Sequence, residues 1–483
     1  KKVNEVIELM KNEQYHFKPV RRVNIPKKDG SKRPLGIPSF YDKVVQEISR
    51  SILEAIYEPR FSKSSHGFRP KRSCHTALKQ VKREWTGVKW VIEGDIKGFF
   101  DNIDHDILLT ILNEQIHDGR FLELIRKMLK AGYMEDWVFH KTYSGTPQGG
   151  IISPILANIY LNKLDEFVEQ VLIPKYETNK KKRKMNTTYN SINGKMVRLS
   201  KKIEELPESS PTRAELIQVY KELEIERRNH KVVDEMDSEF IRVKYVRYAD
   251  DFIIGVIGSK ELTEQLKNEV AEFLQDRLKL TLSPEKTLIT NFKDPVKFLG
   301  YEMYIQDSNT YLVKRKNGRI SRAVNGIPRL MVPKEAIPKK LEKFMRDGKA
   351  VHRKELTNLD IAEIISIYSA EVRGLYNYYR MADNVANQMN KFKHYHRTSL
   401  AKTLAVKMRM SVAQVRQKYE VDGTIGIIIK REPPKKDLIY KYYNEGFSKN
   451  DYVESSNHQD DYLPNTNKYS GRNGIVKRLL AEK

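Results

Sequence analysis

Tyr248-Ala249-Asp250-Asp251 is the stretch on which the reading of this chain turns. Apolar β-branched and aromatic residues flank it: Ile241, Val243 and Tyr245 before, Phe252, Ile253, Ile254 and Val256 after. Such runs predict two strands joined by a turn that carries the acids. Adjacent carboxylates repel in a low-dielectric setting, so a pair like this is either solvated or bridged by a divalent cation. Standing alone, the stretch reads first as a solvated turn with two acids.

Upstream, Trp90-Val91-Ile92-Glu93-Gly94-Asp95-Ile96-Lys97-Gly98-Phe99-Phe100-Asp101 predicts another strand ending in an acid. A helix should follow, capped by Asp104, with Ile107, Leu108, Ile111 and Leu112 on its apolar face. Alternation puts Val91, Glu93 and Asp95 on one face of the strand. Asp95 beside Asp250 and Asp251 would give three hard oxygen donors on adjacent strand ends. That set suits two Mg²⁺ ions about 3.5–4 Å apart, clamping an in-line phosphoryl displacement.

Between these lies Gly145-Thr146-Pro147-Gln148-Gly149-Gly150, followed by Ile151-Ile152-Ser153-Pro154-Ile155-Leu156-Ala157-Asn158. Further blocks are Ile25-Pro26-Lys27-Lys28-Asp29-Gly30 with Arg33-Pro34-Leu35-Gly36-Ile37-Pro38, then His66-Gly67-Phe68-Arg69-Pro70, Leu282-Ser283-Pro284-Glu285-Lys286-Thr287 and Phe298-Leu299-Gly300-Tyr301. An acid strand, a Pro-Gln-Gly loop and a Tyr-Ala-Asp-Asp hairpin in this order resemble a reverse transcriptase palm. The fuller wording resembles the group II intron-encoded reverse transcriptases, or maturases, across most of residues 20–305.

The resemblance implies an α+β, right-hand polymerase: fingers, a palm on an antiparallel sheet, and a helical thumb or domain X. It divides the chain into fingers with part of an N-terminal extension (1–90), palm (91–305) interrupted by a basic helical insertion (173–240), thumb (306–425), and a linker or DNA-binding region (426–483). It implies an RNA-directed DNA polymerase that binds its group II intron RNA to assist splicing and retrohoming by target-primed reverse transcription. The alternative is a splicing maturase, an RNA chaperone with a polymerase-like fold and little synthesis; intact Asp95, Asp250 and Asp251 argue against it. An RNA-dependent RNA polymerase or nucleotide cyclase is disfavoured by Phe100 and by the thumb.

Carried over residue by residue, the resemblance makes Asp95, Asp250 and Asp251 catalytic, with Ile96 joining them in the metal set. Lys27 and Arg33 would reach the triphosphate; solvated turn charges are the other reading, with Lys28 and Lys32 as competing neighbours. Phe100 would lie against the sugar of the incoming nucleotide and exclude a 2′-OH, and Gln148 would bond the sugar end. Leu299, Gly300 and Tyr301 would form the primer grip, and Lys286 would touch nucleic acid. Arg69 is either a structural anchor or a template contact.

Composition agrees with a nucleic-acid partner. The chain has 483 residues, enough for two or three domains. Its 88 Lys+Arg against 63 Asp+Glu give a net charge of +25, which calls for a polyanion. Anionic membrane is the competing partner, but no run of eighteen apolar residues exists. Within the insertion, Lys180-Lys181-Lys182-Arg183-Lys184 supplies a basis for RNA contact; a solvated helical hairpin broken at Pro207 and Pro211 is the alternative. In the helical region, Arg373, Lys402 and Lys407 are the expected nucleic-acid contacts, while many neighbouring tyrosines should pack as core. Cys74 is the single cysteine, which excludes an intramolecular disulfide and a multi-cysteine zinc site and fits a reducing cytosol; the resemblance implies the cytoplasm of a bacterium or an organelle, near the nucleoid. The chain starts at Lys1, so residues 4–12 should be the tail of a longer extension. No Cys or His pair has ligand spacing near the end, so no nuclease activity is expected of this chain. Expected partners are group II intron RNA, target DNA and dNTP; monomer and dimer both stay open.

Overall fold

The computed structural model describes residues 2–26, 30, 32–135, 138–142, 144–146, 149–235, 237–306, 308, 311–314, 320–322 and 325–451. The chain divides into two units, one built from Lys1–Lys293 and Asp307–Ile327, the other from Asp294–Gln306 and Pro328–Val453.

In the first unit, β1 (Val20–Pro26) and β2 (Lys32–Ile37) form an antiparallel ribbon from Arg21↔Ile37 to Pro26↔Lys32. Helix α1 (Phe40–Tyr57) follows, its start capped by the Ser39 side chain accepting from the Asp42 amide. Its buried face differs from the one that hydropathy predicts. Val44, Ile48 and Ile52 point outward, while Gln46 and Ser49 are buried. The cause is hydrogen bonding: Gln46 Oε1 accepts the Ile151 amide at 2.9 Å, and the Ser49 hydroxyl donates back to the Val45 carbonyl. Helix α2 (Cys74–Glu84) then leads into β3 (Trp90–Gly94).

The sheet that carries the acids is antiparallel throughout. Helix α3 (Ser153–Glu166) crosses the core and buries nearly every residue from Ile155 to Asp165, as a helix apolar on most sides must. The insertion is a helical hairpin of α4 (Thr187–Glu205) and α5 (Pro211–Asn229). Arg227, late in α5, donates to Asn193 Oδ1, early in α4, at 2.7 Å, so the two run antiparallel; α5 buries nothing. β4 (Arg242–Tyr248) and β5 (Asp251–Ile257) form the acid hairpin, α6 (Lys260–Leu278) buries Leu266, Val270, Leu274 and Leu278, and β6 (Leu288–Asn291) completes the sheet in the order β4-β5-β3-β6. These strands and helices share one hydrophobic core that includes Ile92, Leu156, Tyr160, Ile254 and Leu274.

The second unit begins earlier than the expected palm boundary at residue 305. β7 (Val296–Phe298) and β8 (Tyr301–Ile305) pair with β9 (Pro328–Met331) in the order β9-β8-β7, so backbone bonds such as Glu302↔Met331 commit residues 296–305 to this unit. α7 (Ile361–Tyr379), α8 (Val385–Met408) and α9 (Val412–Lys418) follow. Of the segment 426–483, expected as a linker or DNA-binding region, the part up to residue 451 carries strand pairing. β10 (Thr424–Ile429) pairs with β11 (Leu438–Lys441), and Tyr442, Tyr443 and Phe447 are buried. The rest of the 426–483 segment lies outside the described residues.

Two glycines give opposite expectations. A Cβ on Gly94 would lie 2.2 Å from the ring of Phe252, so Gly94→Ala should destabilise the first unit by about 1–3 kcal/mol through overpacking. Gly194 sits inside α4 with nothing within 4 Å of such a Cβ, so Gly194→Ala should stabilise by roughly 0.5–1 kcal/mol. Urea unfolding of the two variants checks both signs.

Candidate active site

β4 delivers a fully buried arginine immediately before the acid turn. Arg247 Nε donates to Asp165 Oδ1 at 2.7 Å and Nη2 to Asp165 Oδ2 at 2.6 Å, with both side chains 0% exposed. The remaining protons go to Asn158 Oδ1 (3.1 Å), the Ala249 carbonyl (2.9 Å) and Ser65 Oγ (2.9 Å). Tyr245 donates to Asp165 at 2.8 Å. Burial alone would favour a neutral arginine, but Asp165 outweighs it and raises the Arg247 pKa.

This network aims the turn. Ala249 adopts φ +56°, a left-handed conformation costly for a residue with a Cβ, and its carbonyl is held by Arg247. The His66-Gly67-Phe68-Arg69-Pro70 block buttresses the same turn. The His66 amide donates to the Arg247 carbonyl at 2.9 Å, and Asn158 Nδ2 to the Gly67 carbonyl at 2.8 Å. A Cβ on Gly67 would stand 2.3 Å from the Ala249 nitrogen. His66 is buried between Thr76 and Gln80, and burial pushes its pKa down to about 4. Of the two readings of Arg69, the structure shows the anchor: it is 8% exposed and bonds Glu58 and the carbonyls of Ser62 and Ser65.

The carboxylates meet by register. Tyr248↔Asp251 closes the hairpin and Gly94↔Phe252 is the last β3–β5 pair; one further step sets Asp95 across from Asp251. Asp251 keeps a solvent-exposed edge, yet the atoms packed round its carboxyl and then the charges of Asp250 and Asp95 push its pKa up to about 6. Asp250 is raised by burial and by Asp95, with Arg33 and Lys286 pulling the other way. Lys286 Nζ lies 3.1 Å from Asp95 Oδ2, and this contact raises the lysine's own pKa. Ile96 bridges Leu282, but the flanking bonds use the Asp95 carbonyl and the Lys97 amide, which leaves the Ile96 carbonyl out of that ladder.

Among the described residues no three His, Cys, Asp or Glu side chains form a ready-made metal cage. The chemistry of the donor set nonetheless fits a hard cation: crowded carboxylates, Asp250 and Asp251 among them with raised pKa values, and an ammonium already drawn to Asp95.

Around the acids, Phe100 is half-buried, edge-on to Phe99 at 5.2 Å, and its carbonyl accepts the Thr146 amide at 2.8 Å. Gly149, at φ +107°, lets the loop approach β2, where a Cβ would meet the Gly36 oxygen at 2.8 Å. Arg33 is exposed; Lys27 and Gln148 lie outside the described residues.

Several expected nucleic-acid contacts are occupied within the protein. Lys402 donates to the Ala350 carbonyl at 2.7 Å and Lys407 to the Thr357 carbonyl at 3.0 Å. Lys180 pairs with Asp237 and Glu239, and Arg183 reaches the Gly87 carbonyl at 2.8 Å. Lys184 is exposed and pairs with Glu239 at 3.3 Å. Lys181, Lys182 and Arg373 face solvent. In the expected primer grip, Tyr301 is 0% exposed and donates to the Tyr378 carbonyl, so it is core; Leu299 and Gly300 form the turn, with Tyr378 donating to the Leu299 carbonyl at 2.7 Å. Sequence reasoning missed Arg247, Asp165 and Asn158. Nothing in the sequence sets Arg247 apart from Arg242 and Lys244 of the same strand, and Asp165 and Asn158 lie in a helix with no charge pattern that points to it.

An acid-ended strand in register with a Tyr-Ala-Asp-Asp hairpin, and a glycine loop bonded to the segment just after that strand, define a nucleic-acid polymerase palm. Residues 25–187 and 226–303 match the family described as reverse transcriptase (RNA-dependent DNA polymerase), and residues 326–467 match the type II intron maturase family. The group II intron-encoded protein LtrA of Lactococcus lactis subsp. cremoris is 42% identical over 458 residues, covering 92% of this chain and 74% of LtrA. Protein YkfC of Escherichia coli (strain K12) is 34% identical over 294 residues, 60% of this chain and 68% of YkfC. Telomerase from Candida albicans, solved with a fragment of telomeric RNA, superposes with a TM-score of 0.42 at 13% identity, over 84% of this chain and 58% of that one. The chain belongs to the group II intron-encoded proteins, reverse transcriptases that also act as maturases in RNA splicing. Its partner is RNA, and the reverse transcriptase family uses divalent metal. No helix among the described residues is long and apolar enough to cross a membrane.

Two outcomes follow from this geometry. Arg247→Met leaves Asp165 charged and buried without its partner, and should cost roughly 3–5 kcal/mol in urea unfolding. For Asp251, a folded-state pKa of about 6 lies above the ordinary aspartate value of about 3.9, so the folded chain binds the extra proton and stability falls as pH rises through that window. Asp251→Asn should therefore raise the melting temperature of the metal-free protein at neutral pH. The gain should vanish below about pH 4, and a pH series of thermal melts checks it.

Proposed function

We propose that Asp95, Asp250 and Asp251, with the Ile96 carbonyl, hold two Mg²⁺ ions and that this corner copies intron RNA into DNA from deoxynucleoside triphosphates. When bound, the ions supply Lewis-acid stabilisation of the attacking and leaving oxygens of a phosphoryl displacement. The observation that carries the reading is the register that faces Asp95 with Asp251 and crowds three carboxylates at one sheet end.

The chain's own residues then bind and orient. Arg33, whose charge already reaches Asp250, holds the triphosphate together with Lys27. Phe100, fixed through its backbone to the Thr146 loop, stands against the sugar and excludes a 2′-OH, with Gln148 at the sugar end. Lys286 leaves Asp95 for nucleic-acid phosphate when the carboxylates are otherwise neutralised. Leu299 and Gly300 approach the primer through backbone. Lys181 and Lys182 of the insertion and Arg373 of the helical unit remain available to RNA, and exposed Lys184 exchanges Glu239 for a phosphate. In this reading residues 1–90 are fingers, the sheet-bearing region to Lys293 is palm, and the second unit is thumb. The substrates are the chain's own intron and a target DNA, in a bacterial or organellar cytoplasm near the nucleoid.

Primer extension tests the reading. Asp95→Asn, or Asp250→Asn with Asp251→Asn, should lower synthesis by at least about 10³-fold, equivalent to a few kcal/mol of lost charge stabilisation. Intron splicing in the same variants should persist, because the RNA supplies that chemistry. Phe100→Ala should raise ribonucleotide incorporation selectively. Wild-type extension by the Asp variants, or unchanged sugar discrimination by Phe100→Ala, would refute the respective assignment.

A further inference from the structure

Three cations of the second unit converge on one cavity with no carboxylate lining it. Asn390, Lys393, His394, Arg397 and Thr398 share a face of α8 through three- and four-residue spacing, and Arg416 of α9 completes the lining of a cavity of about 410 Å³. Lys393 stands 5.5 Å from the Phe447 ring, and burial, then the charge of Arg397, push its pKa below the usual lysine value. Arg397 gives Nη2 to the Gly423 carbonyl at 3.3 Å, while its Nε is buried with no partner among the described residues. A charged donor without an acceptor is costly, and so is cation–cation repulsion; one bound anion relieves both.

We propose that this cavity is a phosphate site that takes a backbone phosphate of the nucleic acid bound by the chain. The inference rests on the nucleic-acid-binding reading above. It also relocates the contacts expected on α8: Lys402 and Lys407 donate to backbone carbonyls of their own unit, whereas Lys393 and Arg397 have no carboxylate partner in the cavity. A phosphodiester supplies two anionic oxygens that match a guanidinium fork on one side and an ammonium on the other.

The test titrates the full chain with a short fluorescein-labelled RNA–DNA duplex at chloride concentrations from about 50 to 200 mM. Lys393→Gln with Arg397→Gln and Arg416→Gln should weaken binding by about tenfold or more and reduce the slope of log affinity against log salt by about one or more. A control, Lys334→Gln with Lys339→Gln and Lys340→Gln, removes the same charge from exposed lysines of the same unit and should change affinity much less. Lys393→Arg with Arg416→Lys should stay near wild type. Thermal melts check folding, and Arg416→Gln alone, on an exposed side chain, carries the test in the same direction if the triple variant unfolds. Equal losses in the pocket and control variants overturn the site. Saturable binding of inorganic phosphate, read by ³¹P NMR, with duplex affinity unchanged in the pocket variant would make it a free-anion site and overturn the proposal. A wild-type chain that binds no duplex overturns the nucleic-acid reading itself, an outcome distinct from a wild type that binds and a pocket variant that matches the control.

Discussion

The Arg247–Asp165 pair is the interaction on which the catalytic end of the first unit depends. Placing two ions at zero exposure is expensive, and their mutual attraction offsets that cost only when every remaining lone pair and proton is used. Here every guanidinium nitrogen has an acceptor, and those acceptors are spread over the Ser65 loop, α3 and the turn itself. The pair therefore acts less as a source of net stability than as a fastening that sets where three separate segments meet. Because Ala249 is held left-handed at that junction, the carboxylates after it are aimed by the protein before any ligand arrives.

The end of the same sheet shows the opposite economy. Asp95, Asp250 and Asp251 are crowded so that the ionised forms of Asp250 and Asp251 are disfavoured, while Arg33 and Lys286 temper the repulsion. A rigid support and a destabilised corner belong together. Without the Arg247 fastening, the acids would relax apart and lose the affinity for positive charge that crowding gives them. Phe252 contributes from the other side, because its ring lies over Gly94 and fixes the strand just before Asp95.

How much of this was legible depended on sequence distance. The acid hairpin, the strand ending at Asp95, the insertion's helical hairpin and α6 are local patterns, and alternation or helical spacing reveals them. Asp165 and Arg247 are 82 residues apart and neither sits in a recognisable motif, so their pairing could be seen only once the fold joined α3 to β4. The buried face of α1 departs from its hydropathy for a related reason. Gln46 is buried because a loop a hundred residues on needs its oxygen, which hydropathy cannot register. Lys402 and Lys407 were read as surface charges because a helix pattern does not say where a flexible ammonium ends, and both end on carbonyls. Tyr301 was placed at a primer by its motif, but its ring is needed by the second unit's own core.

The second unit repeats the strategy of the first with different residues. Glu371 of α7 accepts from Arg353, from His396 of α8 and from Lys343. Burial works to raise its pKa, but these partners hold it down at about 2. His396 is itself kept below the usual histidine value by burial and shares its other nitrogen with Tyr442, just after β11. The carboxylate thus ties α7 to α8 and, through His396, to the segment after β11, using polar contacts where a small unit has limited apolar surface to spend. Using Glu371 in this way directs Arg353 and His396 inward. The cations with no such hub, Lys393, Arg397 and Arg416, are left gathered on the α8–α9 face, so the unit's internal electrostatics determine which of its positive charges remain for a polyanion.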